Sequence, residues 1–152
     1  MAAPTKPAPA VGSPIQPRRL SLGAKARLAF EILTTYARAR RAIREQALRE
    51  ALDSLRRPAT RTPNRDDAVT TYVEALRLGS ALTRTLRPLP LDDRCLTRSL
   101  VLTALLARRG VASRLVIGVS PGEEFGAHAW VELGGRPLLD PGDGSYERLV
   151  EL

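Results

Sequence analysis

The spacing of the apolar residues changes once along the chain, and this change constrains the fold more than any other feature. Between residues 20 and 109, apolar positions recur every three or four residues, as on one face of an α-helix. Between residues 112 and 152, they alternate with polar positions, as on one face of a β-strand. Helices followed by strands with short connections predict an α+β fold with an antiparallel sheet.

The first residues follow neither spacing. Residues 1–17 contain five prolines, which leave too few backbone donors for a helix or a sheet, and we interpret them as a disordered tail. A basic helical region is expected over residues 18–90, interrupted by a linker at residues 58–65. The core of the fold is expected over residues 91–152.

Cap and stop signals bound the first predicted helices. Ser21 can cap a helix that starts at Leu22, and Pro58 ends the segment. The segment is either one long helix or two helices joined near residue 40. Near the start, apolar residues recur on one face at Leu22, Ala26, Ala29, Leu33 and Tyr36, with Phe30 and Ile32 beside them.

Two further helices are predicted before the strands. Asp66 or Asp67 starts the first of them, and Arg87–Pro90 breaks it. The second, Cys95–Arg109, is apolar on nearly all sides and should therefore be buried. Gly110 suits the position that follows a helix end, where a left-handed backbone is common.

The remaining segments predict an antiparallel meander. Ala112–Ser120, Phe125–Leu133 and Arg136–Asp140 alternate in the way that strands do, and Tyr146–Leu152 is typical of an edge strand. Gly134-Gly135 is a two-residue hairpin signal between the second and third strands.

The charge of the chain is positive and unevenly placed. The formal net charge is +8, and residues 1–94 contain 18 Lys and Arg against nine Asp and Glu. This favours an acidic partner, or it reflects solvated arginine-rich helix faces, and both interpretations stay open here. With six aromatic residues and no nucleic-acid-binding motif, we expect no nucleic-acid partner. No apolar run of about 18 residues is present, so no membrane span is expected.

The sequence has one Cys and one His. One Cys excludes an internal disulfide, and the pair is too few for a Cys/His zinc site. We therefore expect no such zinc site, and a reducing, cytoplasmic location. The cysteine chemistry considered next requires neither a metal nor a cofactor.

These two residues and one carboxylate are placed as a nucleophilic enzyme needs them. Cys95 starts a helix, where unpaired N–H groups lower the pKa of a thiol and can form an oxyanion hole. His128, in a strand, can take the thiol proton and later protonate a leaving amine. Asp140, at the end of the next strand, can fix the imidazole tautomer. We expect the three side chains to meet within hydrogen-bond reach at the mouth of a groove.

Structural explanations are open for the same residues. Cys95 can be a small buried hydrophobe, and His128 a structural residue of its strand. Asp143 is a rival to Asp140, although a strand end positions a carboxylate better than a glycine-rich loop. Trp130 shares the strand face of His128 and either lines the site or packs in the core.

The order of a Cys at a helix start, a His in one strand and an Asp in the next resembles the transglutaminase-like branch of the papain-like cysteine enzymes. Within residues 91–150, five short segments together resemble the leader peptidase of lasso-peptide biosynthesis. These segments are Cys95–Leu100, Leu105–Gly110, Leu115–Val119, Ala127–Glu132 and Gly135–Asp140.

The resemblance implies a transglutaminase-like catalytic core over residues 91–152, with Cys95, His128 and Asp140 as its triad. It implies a cysteine peptidase that removes the leader from a ribosomally synthesised lasso precursor peptide. The partners implied are that leader, a separate leader-recognition protein and an ATP-dependent cyclase. The strand-rich recognition domain of some members has no counterpart in the pattern, so we expect the stand-alone protease subunit. The alternatives are an enzyme that transfers the acyl group to an amine, and a non-catalytic basic adaptor.

Overall fold

The computed structural model describes residues 20–56, 68–90, 95–120, 126–139 and 146–152. In these residues, helices precede an antiparallel sheet, which confirms the α+β prediction. The elements are α1 (Leu22–Glu45), α2 (Leu48–Leu55), α3 (Ala68–Leu86), α4 (Cys95–Ala107), β1 (Arg114–Ser120), β2 (Gly126–Leu133), β3 (Arg136–Pro137) and β4 (Glu147–Glu151).

Several predicted features lie outside the described residues. They are the tail at residues 1–17, the linker at residues 58–65, the helix start at Asp66 or Asp67, and the two candidate carboxylates Asp140 and Asp143.

The first helix starts where its cap predicts, but the segment is two helices. The Ser21 hydroxyl accepts a hydrogen bond of 3.2 Å from the backbone N–H of Ala24. Gln46 and Ala47 are extended, so the joint lies at residues 46–47 instead of near residue 40. This break lets α2 bury its own apolar residues, which are Ala51, Leu52 and Leu55.

Of the predicted apolar face of α1, Tyr36 is buried and Ala29 is half-buried, and the other three residues are exposed. Leu22 is 84% exposed and Leu33 is 37% exposed. The helix has apolar residues on two sides, and the side with small residues faces α4 because it allows close packing. Glu31 fixes this rotation through paired hydrogen bonds of 2.8 and 3.1 Å from the guanidinium of Arg109. The buried residues of α1 are Ile32, Thr35, Tyr36, Ala39 and Ala42.

Helix α4 lies at the centre of the core, as its apolar sequence predicts. It packs against α1, α2, α3 and the sheet, and Ser99–Leu106 are all buried. It ends in a Schellman motif, in which Val111 N–H binds the carbonyl of Leu106 and Gly110 N–H binds that of Ala107. Gly110 has the expected positive φ of 73°.

The sheet has the strand order β3-β2-β1-β4. β1 pairs with β2 over its whole length, from Arg114↔Glu132 to Ser120↔Gly126. Gly134 and Gly135 both have positive φ, as the predicted hairpin requires. β3 is much shorter than predicted, and β4 pairs with β1 instead of extending the meander beside β3. No helix among the described residues is both long enough and apolar enough to cross a membrane.

The two faces of the sheet have different surroundings. Leu115, Val131 and Leu133 point into the core formed with the helices. Because side chains alternate along a strand, the neighbouring positions lie on the opposite face, which we call the outer face. It includes Val116, Gly118, His128, Trp130 and Glu132.

Candidate active site

Cys95 is the first residue of α4 and is half-buried, with a free thiol. The first N–H groups of a helix have no partner within it and are therefore available to bind a negative charge. Residues 91–94 lie outside the described residues, so the place of Cys95 among these N–H groups stays a prediction.

A buried hydrogen bond joins the helix of Cys95 to the strand of His128. Ser99, one helical turn after Cys95, donates to the carbonyl of Ala129 at 2.9 Å. Ala129 directly follows His128, so the bond lies one residue from the imidazole in the sequence. Four residues rise about 6 Å along the helix axis, which places Cys95 within that axial distance of the bonded Ser99.

This bond lies at the edge of β2 that faces β3. Within the described residues, β3 pairs with β2 at Glu132 and Leu133, with one more bond from Leu138 N–H to the carbonyl of Val131. Backbone groups two residues apart point to the same edge of a strand. The carbonyl of Ala129 therefore points to the same edge as that of Val131, and Ser99 satisfies it.

His128 lies between two aromatic rings on the outer face. The Trp130 ring is nearly parallel to the imidazole, at 19°, with 6.1 Å between the centroids. The Tyr146 ring is tilted by 33°, with its centroid at 5.2 Å. Both separations are in the range of favourable aromatic contacts. The two neighbours restrict the tilt of the half-buried imidazole.

Gly118 provides the space that Trp130 occupies. Gly118 pairs directly with His128 across β1 and β2. A Cβ atom on Gly118 would lie 3.0 Å from Cη2 and Cζ3 of Trp130 and 2.9 Å from the carbonyl oxygen of Glu147. The six-membered part of the indole therefore lies over Gly118, close to the imidazole.

The other end of the indole binds a buried carboxylate. Trp130 Nε1–H donates to Glu132 Oε1 at 2.8 Å, and Glu132 is 3% exposed. Arg148 donates to both carboxylate oxygens, at 2.8 and 3.2 Å. Arg148 also hydrogen bonds to Glu151, which lowers the pKa of that exposed carboxyl. Glu132 is thus a buried charge with an ionic partner and a neutral donor.

The chain that leads to Asp140 is held by α3. Tyr72 Oη–H donates to the carbonyl of Pro137 at 3.0 Å. Leu138 is buried, and its carbonyl oxygen would lie 3.0 Å from a Cβ on Gly79, so α3 and this segment are in close contact. The described structure therefore fixes the chain up to Leu139, and the position of Asp140 itself stays a prediction.

Sequence reasoning names Cys95 and His128 as candidates but not the groups around them. Ser99 gave no signal, because a Ser in an apolar helix commonly bonds within its own helix. Glu132 is two residues after Trp130 on the same face, so alternation alone places these two side chains together. Tyr146 was assigned only to the edge strand. Within the described residues, no three His, Cys, Asp or Glu side chains are grouped so that they could hold a metal ion.

Comparison with known proteins gives one match. A family model described as the transglutaminase-like superfamily matches residues 27–151, which includes α4, the sheet and nearly all of α1. No curated protein and no solved structure matches the chain significantly.

Proposed function

Because the chain belongs to the transglutaminase-like superfamily, which includes cysteine peptidases and acyltransferases, we propose that it is a cysteine peptidase. Its substrate in this proposal is a lasso precursor peptide, from which it removes the leader. The assignment of a lasso precursor as the substrate depends on the resemblance of residues 91–150 to lasso leader peptidases.

The observation that supports the proposal most is the bond between Ser99 and the Ala129 carbonyl. It ties the helix of Cys95 to the strand of His128. A free thiol on α4 and an imidazole in contact with two aromatic rings also support an enzyme over an adaptor without catalytic activity.

In the proposed mechanism, the Cys95 thiolate attacks the carbonyl carbon of the scissile peptide bond. His128, protonated by the thiol, donates that proton to the leaving amine as the C–N bond breaks. A thioester forms, and His128 then takes a proton from the water molecule that hydrolyses it. Asp140 orients the imidazole. A reduced thiol is required, which favours the cytoplasm.

Mass spectrometry of the products tests this function. The purified chain is incubated with the precursor peptide and the recognition protein encoded in the same gene cluster. We expect two fragments whose summed mass exceeds the precursor by one water. If the leader fragment instead retains an added amine, the protein is an acyltransferase. If the precursor stays intact and Cys95 is inert to iodoacetamide near pH 6, the adaptor alternative is correct.

The partner part of the proposal concerns the exposed side of α1. An apolar stripe on this side leads into a cluster of arginines. Such a surface suits an acidic amphipathic segment, and we propose that it binds the leader together with the recognition protein. The stripe is Leu22, Ala26, Phe30, Leu33 and Ala37, and the cluster is Arg38, Arg40, Arg41 and Arg44.

Charge reversal of the arginine cluster should weaken this complex. With all four arginines changed to Glu, we expect an affinity roughly tenfold lower or weaker, because like charges then face each other. The remaining binding should depend less on salt. Affinity is measured by calorimetry at low and high salt. The control reverses four exposed arginines elsewhere, which are Arg49, Arg77, Arg84 and Arg87. If both variants lower the affinity equally, or if neither lowers it, this docking surface is contradicted.

A further inference from the structure

We propose that Glu132 is a positioning residue for His128 and acts through the indole of Trp130. The inference rests on the proposed function, in which His128 is the general base and acid. It assigns a role to a buried carboxylate that takes no part in the mechanism above.

The indole is held in one of its two orientations by Glu132. Rotation about the last side-chain bond of a Trp is soft and broadly two-fold. The hydrogen bond of 2.8 Å from Nε1–H to Glu132 selects the orientation in which the six-membered ring lies over Gly118. In that orientation, the indole is almost parallel to the His128 ring. Loss of the acceptor removes the group that makes this orientation preferred.

Glu132 is itself held in place. Arg148 on β4 binds both of its oxygens, and Glu151 binds Arg148 in turn. The carboxylate is nearly inaccessible to water while Arg148 is half-exposed. Glu132 therefore has a fixed position from which it can orient Trp130. The series of contacts runs Arg148, Glu132, Trp130, His128, with Tyr146 on the far side of the imidazole.

A purely structural role is the alternative, in which the Glu132–Arg148 pair only ties β2 to β4 through the intervening β1. The two roles differ in one respect that can be measured. If Glu132 acts through the indole N–H, its removal has no further effect on His128 once Trp130 can no longer donate. If it acts only as a strand tie, its removal has the same effect whatever residue occupies position 130.

Alkylation of Cys95 gives a readout that needs no peptide substrate. The chain has one Cys, so the rate of iodoacetamide labelling at pH 6 reports on Cys95 alone. A neighbouring imidazole that accepts the thiol proton raises this rate. We expect Glu132→Ala to lower it roughly 10- to 100-fold, the cost of a displaced catalytic group. Glu132→Gln should restore most of the rate, since its amide oxygen still accepts from the indole.

Trp130→Phe isolates the step through the indole. Phe keeps an aromatic ring beside His128 but cannot donate a hydrogen bond, so we expect a loss similar to that of Glu132→Ala. Adding Glu132→Ala to Trp130→Phe should then cause no further loss. Should Glu132→Ala not fold, Trp130→Phe and Glu132→Gln test the same hydrogen bond.

The matched control is Glu31→Ala. Glu31 also makes a two-bond pair with an arginine, but it does so between α1 and α4, away from the sheet. Labelling should be unchanged by this variant. An unchanged rate in Glu132→Ala, an equal loss in Glu31→Ala, or an undiminished effect of Glu132→Ala on the Trp130→Phe background would overturn the inference. If His128→Ala labels as fast as the wild type, the proposed function fails with it.

Discussion

Cys95→Ala is expected to lower kcat/KM for precursor cleavage by at least about 1,000-fold, since it removes the nucleophile. His128→Ala should have an effect of the same order. The double variant should be no slower than either single variant, because residues that act as a unit are not additive. Initial rates of leader release, followed by chromatography, give these values.

The fold should tolerate both substitutions. Cys95 is half-buried at the first position of α4, and His128 is half-buried on the outer face of the sheet. We expect each variant to change the free energy of unfolding by about 1 kcal/mol or less, which separates loss of activity from loss of structure. Cleavage at the wild-type rate by folded Cys95→Ala would exclude Cys95 as the nucleophile.

The interior of the fold was the part that the sequence predicted best. Cys95–Arg109 is apolar on nearly all sides, and a helix of that kind has only one stable environment in water. Its glycine ending at Gly110 is confirmed, and Cys95 is the first of its residues that the structure describes. Local chemistry and global packing agree in this segment, so the pattern alone was sufficient.

The buried side of α1 could not be predicted in the same way. The helix has apolar residues on two sides, and periodicity alone does not say which one faces the core. The side that is buried contains Ala39 and Ala42, whose small side chains let α4 approach. Larger residues such as Leu22 and Phe30 were left exposed, although a larger apolar area normally favours burial.

The strand order shows a similar limit. Alternation predicts strands and Gly134-Gly135 predicts the hairpin, but neither says where the chain returns after it. β4 pairs with β1, and that pairing brings Tyr146 beside His128 and Arg148 beside Glu132. The surroundings of the imidazole therefore depend on contacts between distant residues, which no local pattern encodes.

For the candidate site, the sequence pattern predicts Cys95 and His128 but not the contacts that hold their elements in place. Cys95 and His128 were named because each is the only residue of its kind and stands where the chemistry needs it. The bond from Ser99 to Ala129 follows from the early end of β3, a length set by tertiary packing. Sequence patterns predict a strand through Asp140, so this bond could not be foreseen.

The largest effect on stability is expected from Leu105→Ala. Leu105 is fully buried in the middle of α4, within the core that the helices share with the sheet. Truncation removes its transfer free energy and leaves a cavity that neighbours from several elements cannot easily fill. We expect a loss of about 2–5 kcal/mol in the free energy of unfolding, measured by urea denaturation.

Leu22→Ala is the matched control, because the same atoms are removed from a residue that is 84% exposed. We expect a change within about 0.5 kcal/mol. A loss of that small size in Leu105→Ala would contradict a core centred on α4. Since α4 also positions Cys95, a destabilised but folded Leu105→Ala should keep its labelling at low temperature and lose it as the helix unfolds. Labelling that persists above the unfolding midpoint would mean that the reactivity of Cys95 does not depend on this fold.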